Sequence, residues 1–199
     1  MPRVPGVATK DAGLLVRLGY WFAKRRYQVV PEPFTVLARH RKLFMAAARH
    51  EMAAERASKV LPANVRDLAV YRVAQQLGCS WCVDFGTMLQ KHAGLDVERL
   101  KHIDDYRTSA TYTRQERLAV AYADAMTTTP VGVTDEQVAE LRAEFGDEGV
   151  VELTYQIALE NSRARMFSAL DIRDQGFSSG DACRLPDAEV AAEVRTSTA

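Results

Sequence analysis

Leu77-Gly78-Cys79-Ser80-Trp81-Cys82-Val83-Asp84-Phe85-Gly86 joins two apolar segments whose hydrophobic residues recur with helical spacing. Gly78 suits the position just past a helix end, where a left-handed backbone costs least without a Cβ. Ser80 is expected to cap the helix that follows. Cys79 and Cys82 then fall on one face of that helix, close enough for a disulfide after a small adjustment. They also fall at its N-terminus, where unpaired N–H groups and the helix dipole favour a thiolate. Two of the three cysteines in the chain sit in this stretch. One sulfur can attack a peroxide or a disulfide, and the other can resolve the intermediate.

Outward from this stretch the chain reads as helices separated by breakers. Asn64 is the expected N-cap of a helix running to Leu77, after Pro62. Upstream, Phe34 to Lys59 reads as one helix or two, with Leu37, Phe44, Met45 and Ala48 as core positions, and Pro31 and Pro33 end the segment before it. That earlier segment, Lys10 to Gln28, is amphipathic. Leu14, Leu18, Trp21 and Phe22 lie on one side and Arg17, Lys24 and Arg25 on the other, as for a helix packed on the core, on a neighbouring subunit or on a membrane surface. Downstream, the cysteine helix ends near Gly94, and Asp96 caps a short helix. Thr113 with Glu116, and Thr134 with Gln137, have capping-box spacing. Gly146 precedes a long helix from Asp147 to about Leu170, and a tail follows Gly176. No run of period-two alternation stands out, so the fold class is all-α. The expected organisation is an arm and amphipathic helix over residues 1–30, one helical domain over 31–175 and a C-terminal tail over 176–199.

The 199 residues suffice for one sizeable core. Hydrophobic residues at 47% and charged residues at 26% are those of an ordinary globular protein. Lys plus Arg equals Asp plus Glu at 26 each, which gives no electrostatic reason to expect a nucleic-acid partner. No stretch approaches the roughly 20 apolar residues of a bilayer span. The apolar run Ala12 to Ala23 carries its basic residues on the wrong side for a signal peptide. A cytoplasmic location without stable membrane insertion is the expectation, and there a cysteine pair is more often catalytic or metal-binding than structural. A zinc site would have to recruit His92 and His102, with nine residues between each successive ligand after the pair, unlike the usual finger spacing. A thioredoxin-like site would need a strand before the motif, where a helix is expected. Two small buried hydrophobes meeting in the core is the bland alternative.

The stretch from Asn64 to Gly86, followed by Lys91-His-Ala-Gly-Leu, resembles the core of the carboxymuconolactone decarboxylase and alkylhydroperoxidase D family. Arg117-Leu-Ala-Val-Ala-Tyr-Ala-Asp-Ala-Met, Val133-Thr-Asp-Glu-Gln-Val and Val151-Glu-Leu-Thr-Tyr-Gln-Ile-Ala follow in that family's order. The resemblance spans roughly Phe34 to Leu170. It implies an alkylhydroperoxidase D-like helical bundle, a symmetric homo-oligomer, and a thiol peroxidase that needs no cofactor and no metal. Its partners would be a small hydroperoxide and a thiol or protein reductant. In the peroxidases Cys82 corresponds to the attacking cysteine and Cys79 to the resolving one. The family glutamate falls on Asp67, and the two relay histidines fall on Trp81 and Gly86. Trp81 has only an N–H donor and Gly86 has no side chain, so neither relays a proton. Asp84, two residues past Cys82, is a substitute acid if buried and an ordinary helix N-terminal carboxylate if exposed. Asp67, Tyr71 and Gln75 recur every four residues, as the wall of a pocket or as a solvated face. Asn161, on the apolar side of the last helix, is expected to pin the active-site helices, and Cys183 to be a bystander thiol. A decarboxylase or lactone-processing relative, or a scaffold that has lost catalysis, are the alternatives.

Overall fold

The structure, a computed structural model, describes residues 2–178; Cys183 lies outside them. It comprises α1 (Leu14–Tyr27), α2 (Glu32–Leu37), α3 (Arg41–Ala57), α4 (Ala63–Gln76), α5 (Ser80–His92), a 3-10 segment (Glu98–Asp105), α6 (Arg114–Thr127) and α7 (Asp135–Ala169). No strand occurs among the described residues. Central to the bundle is α4, which packs against α5, α6 and α7 at once. Its sequence explains the position, because buried residues occur on several sides of the helix: Val65, Leu68, Ala69, Tyr71, Val73 and Ala74. One side meets Leu141, Leu153 and Ile157 of α7 with Ala119 and Ala123 of α6. The other meets Cys79, Cys82 and Val83 of the cysteine stretch with Ala164 and Phe167 of α7.

Helix ends follow local chemistry closely. Both Thr113 with Glu116 and Thr134 with Gln137 close reciprocal capping boxes. Gly146 takes φ 68° and kinks α7, where the sequence places a break between two helices. Two caps differ from expectation. Asn64 lies inside α4, whose N-cap is Pro62, and its amide donates to Glu116 Oε1 at 2.8 Å. Cys79 rather than Ser80 caps α5, its sulfur accepting from the Cys82 N–H at 3.3 Å. The largest departure is α1. Val16, Tyr20 and Ala23 are its buried face, while Leu14 is 83% exposed and Leu18, Trp21 and Phe22 are all more than half exposed. The apolar stripe read from the sequence points away from this chain's core.

A chamber at the cysteine helix

The cysteine stretch is held by the end of one helix and the start of the next. Leu77 ends α4, and Gly78 follows at φ 64°. The Cys79 N–H returns to the Ala74 carbonyl and the Gly78 N–H to the Gln75 carbonyl, each at 3.0 Å, the double bond pattern that a left-handed glycine permits. The chain thereby reverses tightly and sets Cys79 and Cys82 at the first turn of α5. Their sulfurs form a disulfide across a Cα–Cα distance of 5.3 Å.

The two sulfurs differ in access. Cys79 is 1% exposed and does not line the adjacent chamber of about 440 Å³, whereas Cys82, 7% exposed, lies on its wall. Aromatic and aliphatic side chains make most of that wall, among them Tyr27 of α1, Phe34 of α2, Phe44 of α3, Trp81, Phe85 and Leu89 of α5 and Phe167 of α7. Polar groups gather at Arg66 and Asp67 of α4, Glu51 of α3, and Glu160 and Arg163 of α7.

Structure sorts the expected acids. Asp67 reaches the chamber wall and is paired with Arg66 Nε at 2.8 Å. Of its stripe, Tyr71 also lines the chamber, while Gln75 turns to Arg72 and Asp104 outside it. Asp84 is buried, at 1% exposure, so it is not an ordinary exposed carboxylate, and it is not among the residues on the chamber wall. Its carboxylate accepts from the backbone N–H groups of Gln175, Phe177 and Ser178 and from the Ser178 hydroxyl, at 2.7–3.0 Å. Burial pushes its pKa up, but these donors outweigh burial and hold it below the usual aspartate range. Residues 174–178 thus form a strap across the start of α5. The Asp174 N–H donates to Ser80 Oγ at 3.3 Å, and Gln175 Oε1 accepts from the Trp81 indole at 3.0 Å and from the Glu32 N–H at 2.7 Å. Phe177 packs edge-on to Phe85 at 5.2 Å. The first three residues of the expected tail, 176–178, therefore belong to the packed fold.

Where the peroxidases keep histidines, this chain builds an aromatic wall and leaves space. Trp81 stacks on Phe85 at 4.5 Å and meets Phe167 edge-on at 5.2 Å. Gly86 lies on the chamber wall, and a Cβ built there would meet nothing nearer than Tyr71 Cδ2 at 3.8 Å. Glu160 is a buried acid on the wall to which the sequence assigns no role. It is 5% exposed and continues the buried stripe Leu153, Ile157, Glu160, Ala164, Phe167, whose three- and four-residue steps are the signal that could have found it. Asn161, one position on, is half-buried and donates to Thr127 Oγ1 at 3.2 Å and to the Ile157 carbonyl at 3.1 Å, joining α7 to α6 away from the sulfurs. His92 and His102, which a zinc site would have needed, are exposed, and among the described residues no group of three His, Cys, Asp or Glu is placed to hold a metal ion. No helix among the described residues is long and apolar enough to cross a membrane.

An all-helical bundle with a cysteine pair at a helix N-terminus defines the alkylhydroperoxidase D-like fold. The chain belongs to the carboxymuconolactone decarboxylase family, whose model matches residues 41–125. The YnjA protein of Escherichia coli (strain K12) is 33% identical over 174 residues, covering 87% of this chain and 93% of the relative. A peroxidase-related protein of Ralstonia eutropha JMP134 with an alkylhydroperoxidase AhpD core superposes with a TM-score of 0.79 at 17% identity, over 92% of this chain and 97% of that one. The debrominase Bmp8 superposes with a TM-score of 0.78 at 18% identity, over 90% and 95% of the two chains. A cysteine-to-alanine variant of Bmp8, solved with 2,3,4-tribromopyrrole, gives 0.77.

Proposed function

We propose that the protein is a thiol-dependent reductase of hydroperoxides that cycles Cys79 and Cys82 between dithiol and disulfide. The observation that carries the reading is the unequal access of one bonded pair: Cys82 lies on the chamber wall, and Cys79, the more deeply buried of the two, does not. Reduced Cys82, in the first turn of α5, attacks the terminal peroxide oxygen as a thiolate favoured by the helix N-terminus. The O–O bond breaks, an alcohol leaves, and Cys82 becomes a sulfenic acid. Cys79 then displaces water from it to form the disulfide. An external thiol or a protein reductant restores the pair, and no cofactor or metal takes part. Asp67, paired with Arg66 on the same wall, orients the polar end of the substrate.

The test is a Cys82→Ser variant, with thiols counted on reduced protein before and after mild peroxide. Wild type loses two reactive sulfurs per chain and the variant none. If neither Cys79 nor Cys82 of the wild type reacts, the redox reading fails, and turnover of a lactone substrate then separates a decarboxylase-type enzyme from a scaffold. The aromatic wall also favours a second substrate for the same electrons, a halogenated aromatic ring. There the dithiol becomes the disulfide, the ring carbon takes a proton and halide leaves. Halide release from tribromopyrrole in step with thiol loss tests it. Copies of the chain are proposed to pair through the exposed apolar face of α1.

A further inference from the structure

The Cys82 chemistry needs a proton donor for the leaving oxygen, and neither Trp81 nor Gly86 supplies one. On the chamber wall contributed by α7, Glu160 is buried, at 5% exposure. Ala164, one turn further and about 6 Å along the helix axis, packs in the same cluster as Cys82. The carboxylate of Glu160 meets Arg163 Nη1 at 3.2 Å, but Nε and Nη2 of that guanidinium are turned to Glu51 of α3. One cation is thus divided between two carboxylates. Of the other charges on the wall, Asp67 is matched with Arg66 of α4 and Glu55 of α3 with Arg26 of α1, and Lys59 adds a cation near Glu55. We propose that Glu160 is a further catalytic residue, the general acid that protonates the oxygen expelled when Cys82 attacks.

The assignment rests on the hydroperoxide reading and completes its balance. The Cys82 thiolate forms the S–O bond as the O–O bond breaks, and the alkoxide takes the Glu160 proton to leave as an alcohol. Glu160 recovers a proton from solvent, matching the one Cys82 released on ionising. Cys79 next forms the S–S bond, and hydroxide leaves as water with the Cys79 proton. Burial, opposed by Arg163 and aided by the nearby Glu51 charge, raises Glu160 to about 7, so an appreciable protonated fraction persists at neutral pH.

The experiment follows oxidation of the reduced full-length protein by cumene hydroperoxide across about pH 5.5 to 8.5, a range spanning the acid's titration. In parallel it follows alkylation of the same thiols by iodoacetamide, whose leaving iodide needs no proton. Wild type is expected to lose rate as pH rises through about 7. Glu160→Gln should lose that limb and slow by about 100-fold, the low end of general acid catalysis, while its alkylation stays within about two-fold. Glu160→Asp should keep part of the rate, and Glu51→Gln, which frees Arg163 for Glu160, should move the limb to lower pH. A Glu160→Gln protein that keeps the rate and the limb overturns the assignment, as does one whose alkylation falls as far as its peroxide reaction. A wild type that alkylates but does not consume cumene hydroperoxide overturns the hydroperoxide reading, and the assignment with it.

Discussion

Replacing Asp84 by Asn separates a latch from a proton donor. The carboxylate takes four hydrogen bonds from residues 175–178, two on each oxygen. An amide with its oxygen toward Ser178 keeps that pair and turns its NH2 group on the Gln175 and Phe177 N–H donors. Two bonds to a buried charge are lost and donors face donors. At about 1.5–3 kcal/mol for each charge-assisted bond, the loss is about 3–6 kcal/mol. The strap feels it first, because Gln175 and Phe177 tie it to Trp81, Glu32 and Phe85. Urea unfolding should therefore move its midpoint down by about 1.5–3 M, for a slope of about 2 kcal/mol per M. Trypsin should also cut earlier at the exposed Arg173. Asp84 is held below its usual range in the folded protein, so its stabilisation is full above the unfolded aspartate value of about 3.9 and is lost as pH falls through the depressed one. The strap should stay latched at neutral and mildly acidic pH. An Asp84→Asn protein with an unmoved midpoint and an intact strap, but no thiol oxidation by hydroperoxide, would refute the latch and assign Asp84 to the chemistry.

Three further outcomes are expected. Glu116, whose side chain is 1% exposed, is driven up by burial, but Arg99, the Thr113 N–H and the Asn64 amide bring it down to about 2. It should contribute about 3 kcal/mol above the unfolded glutamate range, lost as pH falls from about 4.3 toward 2, so Glu116→Gln should flatten the acid limb of thermal unfolding. Gly86→Ala should stabilise α5 by about 0.5–1 kcal/mol, since the added Cβ meets only ordinary contact; a loss of stability in denaturant melts would contradict the open wall. Trp21→Asp in α1 should shift the protein toward monomer in light scattering without altering monomer helicity, and an unchanged mass would remove α1 from the subunit interface.

Local sequence determined the helices, the capping boxes at Thr113 and Thr134, the reversal at Gly78 and the placement of Cys79 and Cys82 at a helix start. Each depends on residues within a few positions of one another, so neighbouring side chains and backbone groups decide it. Spacing alone also made the cysteine pair legible, because three residues on a helix is a short distance in any fold. Tertiary structure decided what those elements face. Asp67 and Asp84 are both acids near the cysteines, yet one reaches the chamber and the other is enclosed by a segment more than ninety residues away in sequence. Glu160 came to share a chamber wall with Cys82 only when α7 packed on α4, and α1 turned its stripe outward because Val16 and Tyr20, not Leu14 and Trp21, meet Phe44. Burial and pairing depend on which distant surfaces meet, and a helical period records an apolar side without naming what covers it.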